Sequence, residues 1–175
     1  FRQLTGAVHE HHVPVFLQLA HAGRQTDAYT TGSRPKAPSA IRDRTFPLDK
    51  PMALTEKEIF QIIESFAAAA QRARKAGFDG VQLHGAHGYL LSQFMTPAMN
   101  RRTDGWGGST ENRTRIVTEI IRLIRKRLGG FPVLIKINAF DHMKNGTTLE
   151  EAARVAGILA GAGIDAIEVS CGVME

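Results

Sequence analysis

The chain is poor in the residues that crosslink, stack or span membranes. It holds a single cysteine, Cys171, so no disulfide can form within it and no multi-cysteine metal site can be built. That lone thiol reads as a small core residue rather than a nucleophile. Aromatics make up 7% of the sequence and are not interleaved with Arg and Lys, which argues against a stacking platform for nucleic acid. No apolar run reaches the ~20 residues of a membrane-spanning helix, and no secretory signal pattern opens the chain. These absences lead to the expectation of a cytoplasmic protein that handles a small molecule, with neither nucleic acid nor membrane as partner.

What is present suits one domain over residues 1–175. Hydrophobic residues are 43% and charged residues 22% of the chain, enough for a core and ordinary for a globular surface. The formal charge of +5 owes much to Arg122, Arg125, Lys126 and Arg127, which crowd the end of an expected helix where cations complement the macrodipole. A chain that opens on Phe1 and stops at Glu175, directly after a strand pattern, reads as an excerpt of a longer protein.

Hydrophobic periodicity orders the chain into repeats. Residues 1–12 read as the tail of a helix, with Leu4, Ala7 and Val8 on one side. Val13 to Leu19 is a short run rich in β-formers, and residues 20–54, punctuated by glycine and proline, read as loop. Thr55 and Glu58 form a capping box for a helix to about Ala76, its stripe made by Ile59, Ile62, Ile63, Phe66, Ala70 and Ala73. A strand follows at about Asp79 to His84, then a long loop to Ser109. A helix spans about Glu111 to Leu128, and a strand Pro132 to Asn138. Thr147 and Glu150 cap a helix that ends near Gly161, and Ala166 to Ser170 is the last strand.

Four strands separated by three helices predict successive βα repeats and a parallel sheet. The runs Val133-Leu134-Ile135 and Val13 to Leu17 are apolar throughout, as expected of strands covered on both faces. Turns after helices are tight, whereas the loops after the first two strands are long. Polar residues gather where strands end (Gln18 and His21, His84 and His87, Lys136 and Asn138, Glu168 and Ser170), on the side that carries chemistry in α/β architectures. A doubly wound sheet would place a glycine-rich phosphate turn between strand and helix, and no GxGxxG or GxxxxGK[ST] occurs. The fold class expected is an incomplete (β/α) barrel of TIM type.

The chemistry concentrates in Val81-Gln82-Leu83-His84-Gly85-Ala86-His87-Gly88-Tyr89. Two imidazoles and a phenol follow a strand at spacings of three and two. Neutral imidazoles can donate hydrogen bonds to a developing oxyanion, and a phenol ordinarily keeps its proton at neutral pH. A zinc pair is the competing reading of His-x-x-His, but no carboxylate lies within the motif and no obvious third ligand follows. Lys136, inside an otherwise apolar strand, should face a cavity, a carboxylate or an anionic ligand, because an unpaired buried ammonium is costly.

Gln18-Leu19-Ala20-His21-Ala22-Gly23-Arg24, His84 to Phe94, Asn100 to Asp104 and Gly107 to Arg113, in this order and spacing, resemble the Old Yellow Enzyme family of FMN-dependent oxidoreductases through nearly the whole chain. The resemblance implies an eight-stranded barrel of which this chain holds about four units, strands three to six. It implies FMN as cofactor and NADH or NADPH as reductant. The family passes hydride from reduced flavin to the β-carbon of an activated alkene, in an α,β-unsaturated carbonyl compound or thioester, while a tyrosine protonates the α-carbon. By that resemblance His84 and His87 hold the substrate oxygen, Tyr89 is the proton donor, and Gln18 bonds the pyrimidine edge of the flavin. Lys136 falls where many members carry an arginine near flavin N1 and O2, a departure that keeps the charge and loses the guanidinium fork. The Asn100 to Arg113 segment is expected to brace the long loop rather than to act chemically. The alternative function is a non-catalytic truncated barrel that binds no flavin. The open strand edges of such a piece call for cover, so a homo-oligomer is expected.

Overall fold

A computed structural model describes residues 1–43 and 49–173; the Pro47 part of the expected long loop lies outside them. In chain order the elements are α1 (Arg2–His9), β1 (Phe16–Leu19), α2 (Ala28–Thr31), β2 (Lys36–Ala37), β3 (Met52–Ala53), α3 (Glu56–Lys75), β4 (Gly80–Gly85), α4 (Leu90–Met95), α5 (Thr110–Leu128), β5 (Val133–Asn138), α6 (Leu149–Gly161) and β6 (Ala166–Ser170).

The main sheet is parallel throughout, in the order β1-β4-β5-β6. Spatial order follows chain order with no reversal, and α3, α5 and α6 each fill one crossover. Helices α3 and α5 pack together, as do α5 and α6, so all three lie on one face. A doubly wound sheet would reverse direction and put helices on both faces. The incomplete barrel is therefore the architecture observed.

Strand parity decides what each face carries. Leu19, Val81, Leu83, Val133, Ile135 and Ile137 are buried and point at the helices, where Ile59, Phe66, Ile116, Ile120, Ile124 and Leu159 meet them. The alternate positions, Gln18, Gln82, His84, Lys136, Asn138, Glu168 and Ser170, line the opposite face, as the two-residue period of a strand requires. This corrects the expectation of strands apolar on both sides. Val13 is exposed and precedes β1, and Leu134 is only half-buried.

Local signals set most boundaries. The capping box of α3 is present: Thr55 Oγ1 accepts from Glu58 N at 3.3 Å and Glu58 Oε2 accepts from Thr55 N at 2.8 Å. The Lys36 ammonium, 2.7 Å from Glu58, holds that carboxyl down at about 2, with the Thr55 backbone N–H adding to the effect. The last helix is capped by Thr148, which accepts from Glu151 N at 3.3 Å, and not by Thr147. The sequence offers both Thr-x-x-Glu registers, and Asp141 Oδ2 takes the Thr147 N–H at 2.7 Å. Four short elements lie within segments expected to be loop. Helix α2 and the β2–β3 pair are too brief for periodicity to register. Helix α4 is buried at every residue, so it shows no amphipathic stripe. Cys171 is exposed, which overturns its reading as a core residue; β6 ends at Ser170, and the thiol lies just beyond the last ladder position.

Buried polar side chains tie the long loops to this frame. Gln93, fully buried, donates to Gly88 O at 2.6 Å and to Ala22 O at 3.3 Å, and accepts from Arg24 N at 3.3 Å. Arg24 pairs with Asp43 at 3.4 Å. Asn100 donates to Phe94 O and Trp106 O, both at 2.8 Å, and Arg102 to Leu54 O at 2.6 Å. Arg113 bonds Met95 O at 2.8 Å, and also Gly108 O and Glu151. These contacts give the Asn100 to Arg113 segment the bracing role expected of it. The basic end of α5 is also committed to local pairing: Arg125 reaches Asp165 and Arg127 reaches Glu64, each at 2.5 Å.

Ile120 is fully buried between the sheet and the helices. Ile120→Ala is expected to lower unfolding free energy by about 2–5 kcal/mol, read as a reduced denaturant midpoint.

Candidate active site

Strand β4 ends at Gly85 and the chain must then turn sharply to start α4. His87 adopts φ 60° and Gly88 φ 76°, left-handed backbone that favours glycine and is strained for histidine. A Cβ on Gly88 would also lie 2.6 Å from Gln25 Nε2. The strained turn is held from two sides: His87 N donates to Asn138 Oδ1 at 3.2 Å, and Gln25 Nε2 donates to His87 O at 3.1 Å. Tyr89 is the N-cap residue of α4.

The turn brings the three expected side chains together. The His84 and His87 rings meet edge to face with centroids 5.2 Å apart, and the Tyr89 ring lies 4.8 Å from His84. His84 is 7% exposed. Burial, then the charges of His87 and Lys136, push its pKa down to about 4, so the ring is neutral near pH 7. Its Nδ1 is buried with no hydrogen-bond partner among the described residues. An imidazole nitrogen left so is costly unless a ligand completes it. His87 Nε2 shares a 2.7 Å hydrogen bond with Ser170 Oγ. Nearby, His21 Nδ1 accepts from Gly23 N at 3.0 Å, and burial lowers its pKa also.

Behind the cluster a polar row crosses the open face. Gln18 Nε2 donates to Gln82 Oε1 at 2.6 Å, and Gln82 Nε2 to Glu168 Oε2 at 2.7 Å. The Lys136 ammonium stands 3.0 Å from Glu168 Oε1. Of the cavity, carboxylate or anionic ligand expected opposite Lys136, the structure supplies a carboxylate, Glu168. Gln82 and Lys136, in that order, hold the Glu168 carboxyl below its usual pKa. Asn138, Glu168 and Ser170 belong to the polar residues that gather where strands end, though no motif marks them, and Gln82 is the member of the row that the sequence reading does not mark. The signal that finds them is alternation: each lies two residues from another polar residue of the same strand, on the same face. Among the described residues no group of three or more His, Cys, Asp or Glu assembles as a metal site.

Four adjacent strands of a (β/α) barrel, with an imidazole pair and a phenol at the C-terminal mouth, define the class. The sequence profile of the NADH:flavin oxidoreductase / NADH oxidase family matches residues 1–173, and the chain belongs to that family. It is 45% identical over 177 residues to an NADH oxidase of Thermoanaerobacter brockii, covering all of this chain and 27% of the relative. It is 38% identical over 174 residues to an NADPH dehydrogenase of Geobacillus sp. (strain WCH70), covering 99% and 49%. Morphinone reductase in complex with tetrahydroNAD superposes with a TM-score of 0.87 at 33% identity, over 96% of this chain and 52% of that one. A 2-naphthoyl-CoA reductase in complex with 2-naphthoyl-CoA does so with a TM-score of 0.93 at 29% identity, over 99% and 28%. The chain therefore spans between about a quarter and a half of these relatives. No helix among the described residues is long and apolar enough to cross a membrane.

The depressed pKa of His84 makes stability pH-dependent. The unfolded ring titrates near 6.5 and the folded ring at about 4, so between those values the unfolded state holds more protons. The contribution is present above pH 6.5 and is lost as pH falls through about 4. Denaturant midpoints are expected to fall across that window, and His84→Gln to flatten the fall. An imidazole signal from His84 that titrates near pH 6.5 would contradict this.

Proposed function

We propose that the protein to which this chain belongs is an FMN-dependent NAD(P)H oxidoreductase that reduces an activated C=C bond in an α,β-unsaturated carbonyl compound or thioester. The observation that carries this reading is the cluster of a neutral, buried His84 with an open Nδ1, a second imidazole and a phenol at one strand end. Such a cluster suits an electron-rich oxygen together with a carbon that must take a proton.

The polar row suits the flavin ring system. Gln18 is exposed, and only its Nε2 is engaged among the described residues, leaving Oε1 for the pyrimidine edge, where donors and acceptors alternate. Lys136 carries a positive charge on the same face, suited to a ring that becomes anionic on reduction, although Glu168 takes part of that charge. When bound, FMN supplies hydride obtained from NADH or NADPH.

The chain's own residues divide the remaining work. His84 and His87 hold the substrate oxygen; being neutral, His84 donates a hydrogen bond without carrying a charge that would bind a carboxylate instead. Asn138, Gln25 and Ser170 fix where His87 points. Tyr89 delivers its hydroxyl proton to the α-carbon as negative charge gathers on the oxygen held by the imidazoles. The same proposal takes the protein as cytoplasmic and homo-oligomeric, with another copy or the rest of the barrel covering the β1 and β6 edges.

Tyr89→Phe in the full-length protein is expected to leave flavin reduction by NAD(P)H unchanged and to slow alkene reduction by about 10²-fold or more. Stopped-flow absorbance separates the two half-reactions, and equal slowing of both would remove Tyr89 from proton delivery. Gln18→Leu is expected to weaken FMN binding by about tenfold, the worth of one hydrogen bond to a buried edge, read by quenching of flavin fluorescence.

A further inference from the structure

A cavity of about 480 Å³ opens on the same end of the barrel, lined by Arg24, Arg42, Arg101, His142 and Lys144 among others. Three separate segments build it: the loop after β1, the segment after α4 and the loop after β5. Among the described residues no aspartate or glutamate lines it. Arg24 is buried and pairs with Asp43, and it also donates to Arg42 O at 3.2 Å, bracing the loop that presents Arg42. Arg101 is anchored through its backbone N–H, which donates to Ser39 Oγ at 2.9 Å. Neither the Arg101 guanidinium nor the Lys144 ammonium has an ion-pair partner among the described residues. Both are exposed.

The β5 loop is held firmly in this arrangement. Asp141 accepts from Asn138 Nδ2 at 2.8 Å and from Thr147 N at 2.7 Å. His142 and Asn145 both take φ 58°, and the His142 ring stacks edge-on against Phe140 at 4.8 Å. Backbone strain of this kind persists only where surrounding contacts over-determine it. Asp43 offsets Arg24, but Arg101 and Lys144 both bring positive charge to one cavity, and an anion is the ligand that offsets their repulsion. Guanidinium groups match phosphate oxygens two at a time, and a compact ammonium adds a point charge. The cavity size falls within the ~300–1,000 Å³ of small-ligand sites.

We propose that this cavity binds the phosphorylated nucleotide end of a ligand whose reactive end reaches the His84–His87–Tyr89 cluster. The proposal rests on the reductase reading for the identity of that reactive end. Two sources carry the chemistry: the coenzyme A part of an acyl thioester substrate, or the phosphorylated adenosine of NADPH. The loops that wall the cavity also touch the cluster. Gln25, next to Arg24, bonds the His87 carbonyl, and Asn138, which bonds the His87 N–H, also bonds Asp141 beside His142.

The test uses the full-length, flavin-loaded protein and two probes, adenosine 3′,5′-bisphosphate and adenosine 2′,5′-bisphosphate, followed by calorimetry. At least one is expected to bind, to be displaced by inorganic pyrophosphate, and to bind about tenfold or more weakly to the Arg101→Gln, Lys144→Gln double variant. The Arg101→Lys, Lys144→Arg variant is expected to restore binding. Preference for the 3′,5′ compound assigns the site to a thioester, and preference for the 2′,5′ compound to the reductant. Absence of binding at millimolar concentration, or binding that the double variant leaves unchanged, overturns the proposal. Flavin absorbance is read separately: a protein that binds a bisphosphate here but holds no FMN overturns the reductase reading and leaves the cavity assignment standing.

Discussion

Strand register is the constraint on which the site depends. His84 pairs with Lys136, and Lys136 with Glu168, as Cα partners across β4, β5 and β6. Three ionisable side chains thus stand abreast on one rung of the sheet. One rung back, Gln18 pairs with Gln82. A slip of a single residue in any strand would send its polar set into the helices and its Leu, Ile and Val residues onto the open face. Burial of Val81, Leu83, Val133, Ile135 and Ile137 therefore aligns the polar rung. The core and the site are two readings of one alternation.

The rung also sets the electrostatics. Lys136 stands between a carboxylate it pairs with and an imidazole it discourages from protonating. Glu168 accepts from Gln82 and pairs with Lys136, so its charge is stabilised on two sides. Glu168 also pulls the His84 pKa upward, but burial and the charges of His87 and Lys136 outweigh it and the ring stays neutral. The difference between the acid and the base on one rung comes from their partners, as expected where desolvation and neighbouring charge compete.

Much of this was legible in the sequence. The capping box at Thr55, the apolar stripe of α3 and the Gly-rich turns after helices gave the βα order, because each rests on local chemistry. The cluster was legible because His84, His87 and Tyr89 lie within six residues of one another. The strand-end polarity of Glu168 and Ser170 is legible, but what joins them to Gln82 is register between strands separated by whole helices, which no local pattern reports. Helix α4 escaped because it is buried all round, and Thr148 because Thr147 offers the same capping pattern one residue earlier. Cys171 misled because composition speaks to average burial and not to a position just past an edge strand.

The backbone at His87 narrows what can ever occupy that position. A left-handed residue is cheapest as glycine, which has no side chain to offer the site. β-branched and bulky residues are excluded by sterics. Aspartate tolerates the conformation but brings a negative charge and no donor in place of a neutral ring. Histidine and asparagine accept this backbone at a smaller cost than most residues and also offer a neutral hydrogen-bond donor. The turn after β4 thus acts as a filter on variation: it narrows what can stand at His87 to the few residues that accept left-handed backbone, while His84, in ordinary strand geometry, faces no such backbone limit.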